Sequence, residues 1–136
     1  MTQTVYFGTY TRRESKGLYK ADFDSNNGIL SNLELVAEEA SPTYLAFDAT
    51  DHLYTVGAEN GQGGIAAFDK DFKLLNHVVE EGAPLCYVAV DEKRDLVYGA
   101  NYHKGQVLVY KRLSDGSLEL ADSDTHEGSG PHENQA

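Results

Sequence analysis

Residues 95–103 read DLVYGANYH, and this segment is the most informative in the chain because altered copies of it occur earlier in the sequence. Residues 3–11 read QTVYFGTYT, and both copies contain Val-Tyr, two further residues, and then a polar residue followed by tyrosine. A third version, LYTVGAE, lies between them at residues 53–59. Such internal similarity indicates a chain built from repeated structural units, and it must be recognised before any other pattern is interpreted.

Each copy belongs to a longer unit with a regular order of apolar runs. A glycine and a second run follow each copy, at residues 17–23, 64–69 and 105–110. A proline-led run stands ahead of the second and third copies, at residues 42–48 and 84–91. Three leucines spaced by 44 residues open a further run: Leu30, Leu74 and Leu118. We label the four runs A to D in chain order, beginning with the proline-led run.

The four runs are short and rich in Val, Tyr, Leu and Phe, and turn residues such as those at 60–63 and 114–116 separate them. No segment has the pattern of an amphipathic helix of about ten residues or more, which excludes helical and α/β classes. A period in the forties with four strands per unit is typical of a propeller blade. We therefore predict an all-β chain of about three β-propeller blades, each of four antiparallel strands. A two-sheet sandwich is the competing architecture, although it does not need near-identical units.

The predicted blades span residues 1–40, 41–82 and 83–127, and residues 128–136 begin a further blade. The first copy lacks run A, which a propeller can obtain by pairing a strand from the other end of the chain. Ring closure needs about four to eight blades. We therefore expect the N-terminal portion of a longer, single propeller domain, in which open blade edges allow self-association.

Composition limits the class of partner. Eleven Lys and Arg residues stand against 22 Asp and Glu residues, a formal charge of −11 that repels nucleic acid phosphates and anionic membranes. The N-terminus lacks the pattern of a signal peptide, and no apolar run reaches the length of a membrane span. We expect a cytoplasmic protein with neither a nucleic acid nor a membrane partner. Cys86 lies in an apolar run and is predicted to be a buried structural thiol.

Six motifs in order span nearly the whole chain: GTYT at 8–11, GIL at 28–30, SPTYL at 41–45, ANY at 100–102, DGSL at 115–118 and HEGSGP at 126–131. They resemble the lactonase, or 6-phosphogluconolactonase, family of seven-bladed β-propellers. The resemblance implies hydrolysis of 6-phospho-D-glucono-1,5-lactone in the pentose phosphate pathway, without a metal or organic cofactor. Family members commonly continue with an Arg-Gln pair and a Pro-His-x-His motif. Here Asn134-Gln135 take the place of the pair, and the chain ends before the second motif.

Alternating strand direction places the B-to-C loops and the D-to-A segments on one face of a blade, which we call the loop face. The A-to-B and C-to-D turns lie on the opposite, turn face. We expect functional residues on the loop face and ordinary solvated turns at residues 50–52, 70–71 and 92–94. His52, His77 and His126 are interpreted as surface residues.

Lactone opening needs a base that activates water, donors that hold the oxyanion, and cations that hold the phosphate. The candidate catalytic residues are Asn101 and Gln135 as donors and His132 as an imidazole base, with His103 as the alternative imidazole. The candidates for binding a phosphorylated sugar lactone are Thr9, Tyr10, Arg12, Arg13, Lys16, Tyr102 and His103. Plainer interpretations stay open: Asn101 can satisfy loop backbone, the two tyrosines can pack between blades, and the basic residues can form a solvated loop.

Two other functions fit the same pattern. A propeller can bind a peptide or protein on its loop face without catalysis, since one fold supports many functions. A lactonising or lactone-cleaving enzyme of the carboxymuconate cycloisomerase type would use the same scaffold. The sequence has no zinc-helix histidine pair, P-loop, dinucleotide fingerprint or Gly-x-Ser-x-Gly motif.

Overall fold

A computed structural model describes residues 1–132 of the chain. Within that range eleven strands form three separate antiparallel sheets, and there is no helix. The prediction of an all-β chain is therefore confirmed, and so is the division into repeated small sheets. Among the described residues no helix exists that could cross a membrane.

Sheet 1 contains three strands: β1 (Thr2–Phe7), β2 (Gly17–Asp24) and β3 (Ile29–Glu38), in that order across the sheet. They correspond to runs B, C and D, as the absence of run A predicts. Gly28 closes the turn between β2 and β3, where its N–H donates to the Asp24 carbonyl at 2.8 Å. Its φ of 72° is in the left-handed region that glycine tolerates.

Sheet 2 contains four strands in chain order: β4 (Leu45–Phe47), β5 (Leu53–Glu59), β6 (Gln62–Phe68) and β7 (Leu74–Glu80). A two-residue loop, Asn60-Gly61, joins β5 to β6, and both residues have positive φ, 52° and 79°. This is the conformation that the sequence Asn-Gly favours, because its twist matches that of the flanking strands.

Sheet 3 repeats the arrangement: β8 (Tyr87–Asp91), β9 (Leu96–Asn101), β10 (Gln106–Arg112) and β11 (Leu118–Thr125). The A strands, β4 and β8, begin three residues after the prolines that were expected to open them. Proline has no N–H to give to a strand ladder, so Pro42 and Pro84 remain in the connecting segments. Residues 126–132 form no strand, and the rest of the predicted fourth unit lies outside the described residues.

The sheets pack face to face, as neighbouring blades do. Between sheets 1 and 2 the buried side chains are Leu18, Leu53, Ala66 and Phe68. The core between sheets 2 and 3 is larger: Tyr54, Val56, Ile65, Ala67, Leu85, Val88, Val97, Leu108, Tyr110 and Leu118. The second and third sheets therefore share most of the apolar interior.

The remaining surfaces of sheets 1 and 3 are more open. Leu30 and Leu33 on β3 are 54% and 68% exposed. Cys86, expected to be buried, is exposed instead, because it lies just before the edge strand β8. Self-association through the open edges stays a prediction.

Candidate functional site

The B-to-C loops and the D-to-A segments contact each other directly, which creates the loop face. Thr11 and Ser41 exchange two hydrogen bonds at 3.0 Å, each backbone N–H donating to the other residue's hydroxyl oxygen. In the next unit the Asn101 amide donates to the Ala83 carbonyl at 2.9 Å. Side chains from different loops are thus brought onto one surface, as antiparallel strand alternation requires.

The most cationic part of this surface is the loop between β1 and β2, residues 9–16, which we call the basic loop. The Thr9 hydroxyl donates to the Gly17 carbonyl at 2.6 Å and hydrogen-bonds the Ser15 hydroxyl, and these contacts hold the base of the loop together. Its three cations, Arg12, Arg13 and Lys16, are exposed and take part in none of the ion pairs found within residues 1–132. The loop therefore presents positive charge to solvent in a strongly acidic chain.

Two exposed aromatic groups flank these loops. Tyr10 is 63% exposed, and the Arg12 guanidinium lies 5.0 Å from the centre of its ring in a cation–π contact. Tyr102 is 71% exposed and its ring centre lies 4.0 Å from that of His103. Neither tyrosine packs between the three described sheets, and both rings are exposed on the loop face. Their roles in substrate binding stay predictions.

Asn101 occupies a different environment. It is 3% exposed, its amide group donates to the Ala83 carbonyl, and its carbonyl oxygen accepts the Lys104 N–H at 3.3 Å. These two contacts fix the start of the loop that carries Tyr102 and His103. A direct catalytic role would require Asn101 to exchange one of them for substrate, and that role stays a prediction.

The other two candidate catalytic residues lie at the end of the chain. His132 is exposed at the limit of the described residues. Gln135 lies outside the described residues, as does Asn134 beside it. Their catalytic assignments stay predictions.

A cluster that the sequence did not point to lies between sheets 1 and 2 at the loop face. The His77 Nε2 is 2.7 Å from the Glu39 Oε1, and its Nδ1 is 3.1 Å from the Glu59 Oε2. The His77 side chain is 9% exposed, so the prediction of a surface histidine is wrong. Glu39 also accepts the Ala58 N–H at 3.1 Å. In the sequence, Glu39 cannot be distinguished from the solvated Glu38 beside it.

The turn face also differs from the expectation of ordinary solvated turns. Arg112 binds three carboxylates there, Asp48 at 3.0 Å, Glu92 at 3.1 Å and Asp95 at 2.7 Å. The Tyr54 hydroxyl donates to the Gly116 carbonyl at 3.0 Å and joins the same group. We call these residues the turn-face latch, because they connect sheet 2 to two turns of sheet 3.

Electrostatics at the latch favour its charged form. Burial opposes the ionisation of Asp48, but hydrogen bonds from His52 and Thr50 outweigh it and hold the pKa of this carboxyl below its ordinary value. The hydrogen bond to Asp95 raises the pKa of Arg112 despite burial. His52 is part of this group rather than a free surface residue, since its Nδ1 is 2.8 Å from the Thr50 hydroxyl.

A polar cleft of about 380 Å³ lies beside the latch, but Arg112, the cation that lines it, is already paired with three carboxylates. Within residues 1–132 no group of three or more His, Cys, Asp or Glu side chains is arranged to hold a metal ion. The loop face is therefore the better candidate for ligand binding, since its basic loop forms no ion pair within the described part of the chain and its tyrosine rings are exposed.

Comparison with known proteins agrees with this architecture. Residues 4–136 match the family described as lactonase, 7-bladed beta-propeller. A 6-phosphogluconolactonase of Bacillus subtilis is 39% identical over 143 residues, which cover 99% of this chain and 41% of that protein. An uncharacterised protein of Lactococcus lactis subsp. cremoris is 52% identical over 139 residues, covering 100% of this chain and 41% of that protein.

A solved structure has the same fold as the described sheets. A Lactobacillus plantarum protein superimposes with a TM-score of 0.93 at 46% identity, covering 98% of this chain and 40% of the other. The chain thus spans about two fifths of the length of the relatives that it matches. The match of the family model over nearly every residue, together with three sheets that pack as successive blades, shows that this chain belongs to the lactonase family of seven-bladed β-propellers.

Proposed function

We propose that the longer protein that carries this chain, here called the parent, hydrolyses 6-phospho-D-glucono-1,5-lactone to 6-phosphogluconate in the cytoplasm. The observation that carries the proposal is the basic loop, whose three exposed cations have no carboxylate partner within residues 1–132 of a chain with a formal charge of −11. Membership of the lactonase family and the name of the Bacillus subtilis relative support the reaction class.

The loop face supplies binding groups for such a substrate. Arg12, Arg13 and Lys16 would pair with the dianionic phosphate through charge-assisted hydrogen bonds. Tyr10 and Tyr102 would contact the sugar ring or donate their hydroxyls to it, with Thr9 and His103 beside them. The parent would bind a small phosphorylated lactone and would need no cofactor.

The chemistry requires addition of water to the ester carbonyl. Water attacks that carbon, its proton passes to a base, and the carbonyl oxygen becomes an oxyanion that donors must hold. The carbon–oxygen bond of the ring then breaks, and the ring oxygen receives a proton as it becomes a hydroxyl. His132 or a group in the remainder of the parent would act as the base. Because only a closed ring would assemble the complete loop face, this chain alone should be inactive.

The experiment is a measurement of proton release from fresh lactone near pH 7, with spontaneous hydrolysis subtracted. The parent should be faster than buffer, and the 136-residue chain should not. A parent no faster than buffer would reject the lactonase proposal and favour a binding module. Activity on a carboxymuconate lactone alone would favour the cycloisomerase type.

A variant of the basic loop tests the binding role separately. Replacing Arg12, Arg13 and Lys16 together by Ser in the parent should raise KM for the phosphorylated lactone at least tenfold, since one lost charge-assisted contact costs about 1.5–3 kcal/mol. KM for unphosphorylated gluconolactone should stay within about twofold. Equal effects on both substrates would assign these cations to solvent.

A further inference from the structure

The segment 39–42, which we call the connector, touches both ends of the basic loop. At one end the Thr11 and Ser41 hydrogen bonds join the loop to the connector. At the other end the Glu39 N–H donates to the Lys16 carbonyl at 3.2 Å. The position of the connector therefore determines the position of the loop that carries the cations.

Two glycines show that the backbones of the connector and the basic loop are packed too closely to admit a side chain between them. A Cβ atom added to Gly8 would lie 2.0 Å from the Pro42 carbonyl oxygen. One added to Gly17 would lie 2.6 Å from the Glu39 backbone nitrogen. Because both glycines border the basic loop, backbone packs on backbone at each end of it.

The connector is in turn held to sheet 2 by the side chain of Glu39. That side chain is 3% exposed, and its two oxygens are used by His77 and by the Ala58 N–H. Gly57 makes room for it, since a Cβ atom there would lie 2.8 Å from the Glu39 Oε2. His77 contacts Glu59 through its other nitrogen, so that two carboxylates fix the orientation of the imidazole ring.

We propose that Glu39, oriented by His77, is a positioning residue that holds the basic loop where its cations meet the phosphate group of the substrate. The inference rests on the proposed function. Glu39 does not touch substrate, because its oxygens already have donors and a carboxylate would repel a phosphate. Its effect passes through the connector to Arg12 and Arg13.

The test compares Glu39→Ala with Glu38→Ala in the parent. Glu38 is the neighbouring carboxylate, is exposed, and lines the same open cleft at the loop face as Glu39 and His77, which makes it a matched control. Glu39→Ala should raise KM for 6-phosphogluconolactone about tenfold, with kcat and the KM for gluconolactone within about twofold of the parent. Glu38→Ala should change neither KM. Glu39→Gln, which keeps the size of the side chain and an acceptor oxygen, should show a much smaller rise in KM than Glu39→Ala.

A double-mutant cycle with the Ser-substituted basic loop separates two kinds of failure. When the three cations are absent, Glu39→Ala should have no further effect on the KM for the phosphorylated lactone. If the Ser-substituted loop raises KM for the phosphorylated lactone alone and Glu39→Ala does not, the positioning role is rejected while the proposed function stands. If the Ser-substituted loop changes both KM values equally, the phosphate-binding role of the loop is rejected first.

Thr11→Val provides a second route if Glu39→Ala does not fold. It removes the hydroxyl that accepts the Ser41 N–H and leaves the Glu39 carboxylate in place. The same selective rise in KM for the phosphorylated lactone, smaller in size, supports the inference. An unchanged KM, or an equal rise for both lactones, overturns it.

Discussion

The two interfaces between neighbouring sheets are built differently. Sheets 1 and 2 bury only four apolar side chains against each other, and their charged contact, Glu39 with His77, lies at the loop face. Sheets 2 and 3 bury ten apolar side chains, and their charged contact, the turn-face latch around Arg112, lies at the opposite end. In the first interface the polar contact adjoins the candidate site, and in the second it is separated from that site by the length of the strands.

This difference assigns different roles to two groups that look alike as ion pairs. The latch closes the far end of an interface that is already well packed, so its loss should affect stability and leave ligand binding unchanged. The Glu39 contact links the interface of sheets 1 and 2, which buries fewer apolar side chains, to the basic loop. Its loss should therefore affect substrate binding more than stability. Four sets of variants test this difference between the two interfaces.

The largest effect on stability is expected from Arg112→Met. The variant leaves the Asp48 side chain, 2% exposed, beside Glu92 and Asp95 without their shared cation. Removing one partner of a buried ion pair costs about 3–5 kcal/mol. Urea unfolding of the 136-residue chain should show this loss, and the matched variant Arg94→Met, whose side chain is 69% exposed, should cost at most about 1 kcal/mol. Equal stability of the two variants would show that the latch is only a surface group.

Leu18→Ala tests whether the smaller apolar interface is the weaker one. Removing a buried leucine side chain costs about 2–5 kcal/mol, and here the loss falls on the contact between sheets 1 and 2. Amide hydrogen exchange should show β1 to β3 losing protection before β8 to β10. The control Leu108→Ala, in the larger core, should lower protection in sheets 2 and 3 together. Uniform loss of protection in the Leu18 variant would mean that the three sheets unfold as one unit.

Acid should act on the turn face. The folded pKa of Asp48 lies below its unfolded value, so its contribution to stability is present above the ordinary carboxyl pKa of 3.8 and is lost as pH falls through the folded value. Asp48→Asn should therefore be less stable than the unchanged chain at pH 7 and show a smaller fall in urea midpoint between pH 5 and about 3. An identical pH dependence in both proteins would place the acid sensitivity elsewhere.

The smallest effect is expected at a hydrogen bond outside both interfaces. Tyr98 donates to Asp91 at 2.8 Å, and this bond holds the pKa of Asp91 below its ordinary value. Tyr98→Phe should raise that pKa, which two-dimensional NMR titration of the carboxyl group would detect. The urea midpoint of the chain at pH 7 should change little, since the bond belongs to neither sheet contact. A large loss of stability would indicate a third structural cluster.

Much of the fold could be predicted from the sequence because strands and turns are marked by local patterns of residues. Leu74 and Leu118 begin β7 and β11 as predicted, since runs of apolar residues bounded by turns mark strands without reference to distant residues. Strand alternation was enough to place the loops at 9–16 and 102–105 on one face. The A strands were predicted too long, because proline-led segments that read as apolar runs serve as connectors instead.

The charged clusters could not be predicted from the sequence, because their members are far apart along the chain. His77 and Glu39 are 38 residues apart, and Arg112 and Asp48 are 64 residues apart, so no local pattern pairs them. The sequence alone establishes the repeated unit, the three small sheets and the face on which their loops gather, because hydrophobic period and turn residues act over a few positions. It does not show which charged side chains are buried partners and which are solvated, because burial depends on the sheet that packs opposite. Glu39 and Glu38 are adjacent carboxylates, and the packing of sheet 2 against sheet 1 makes one a buried contact and leaves the other in water.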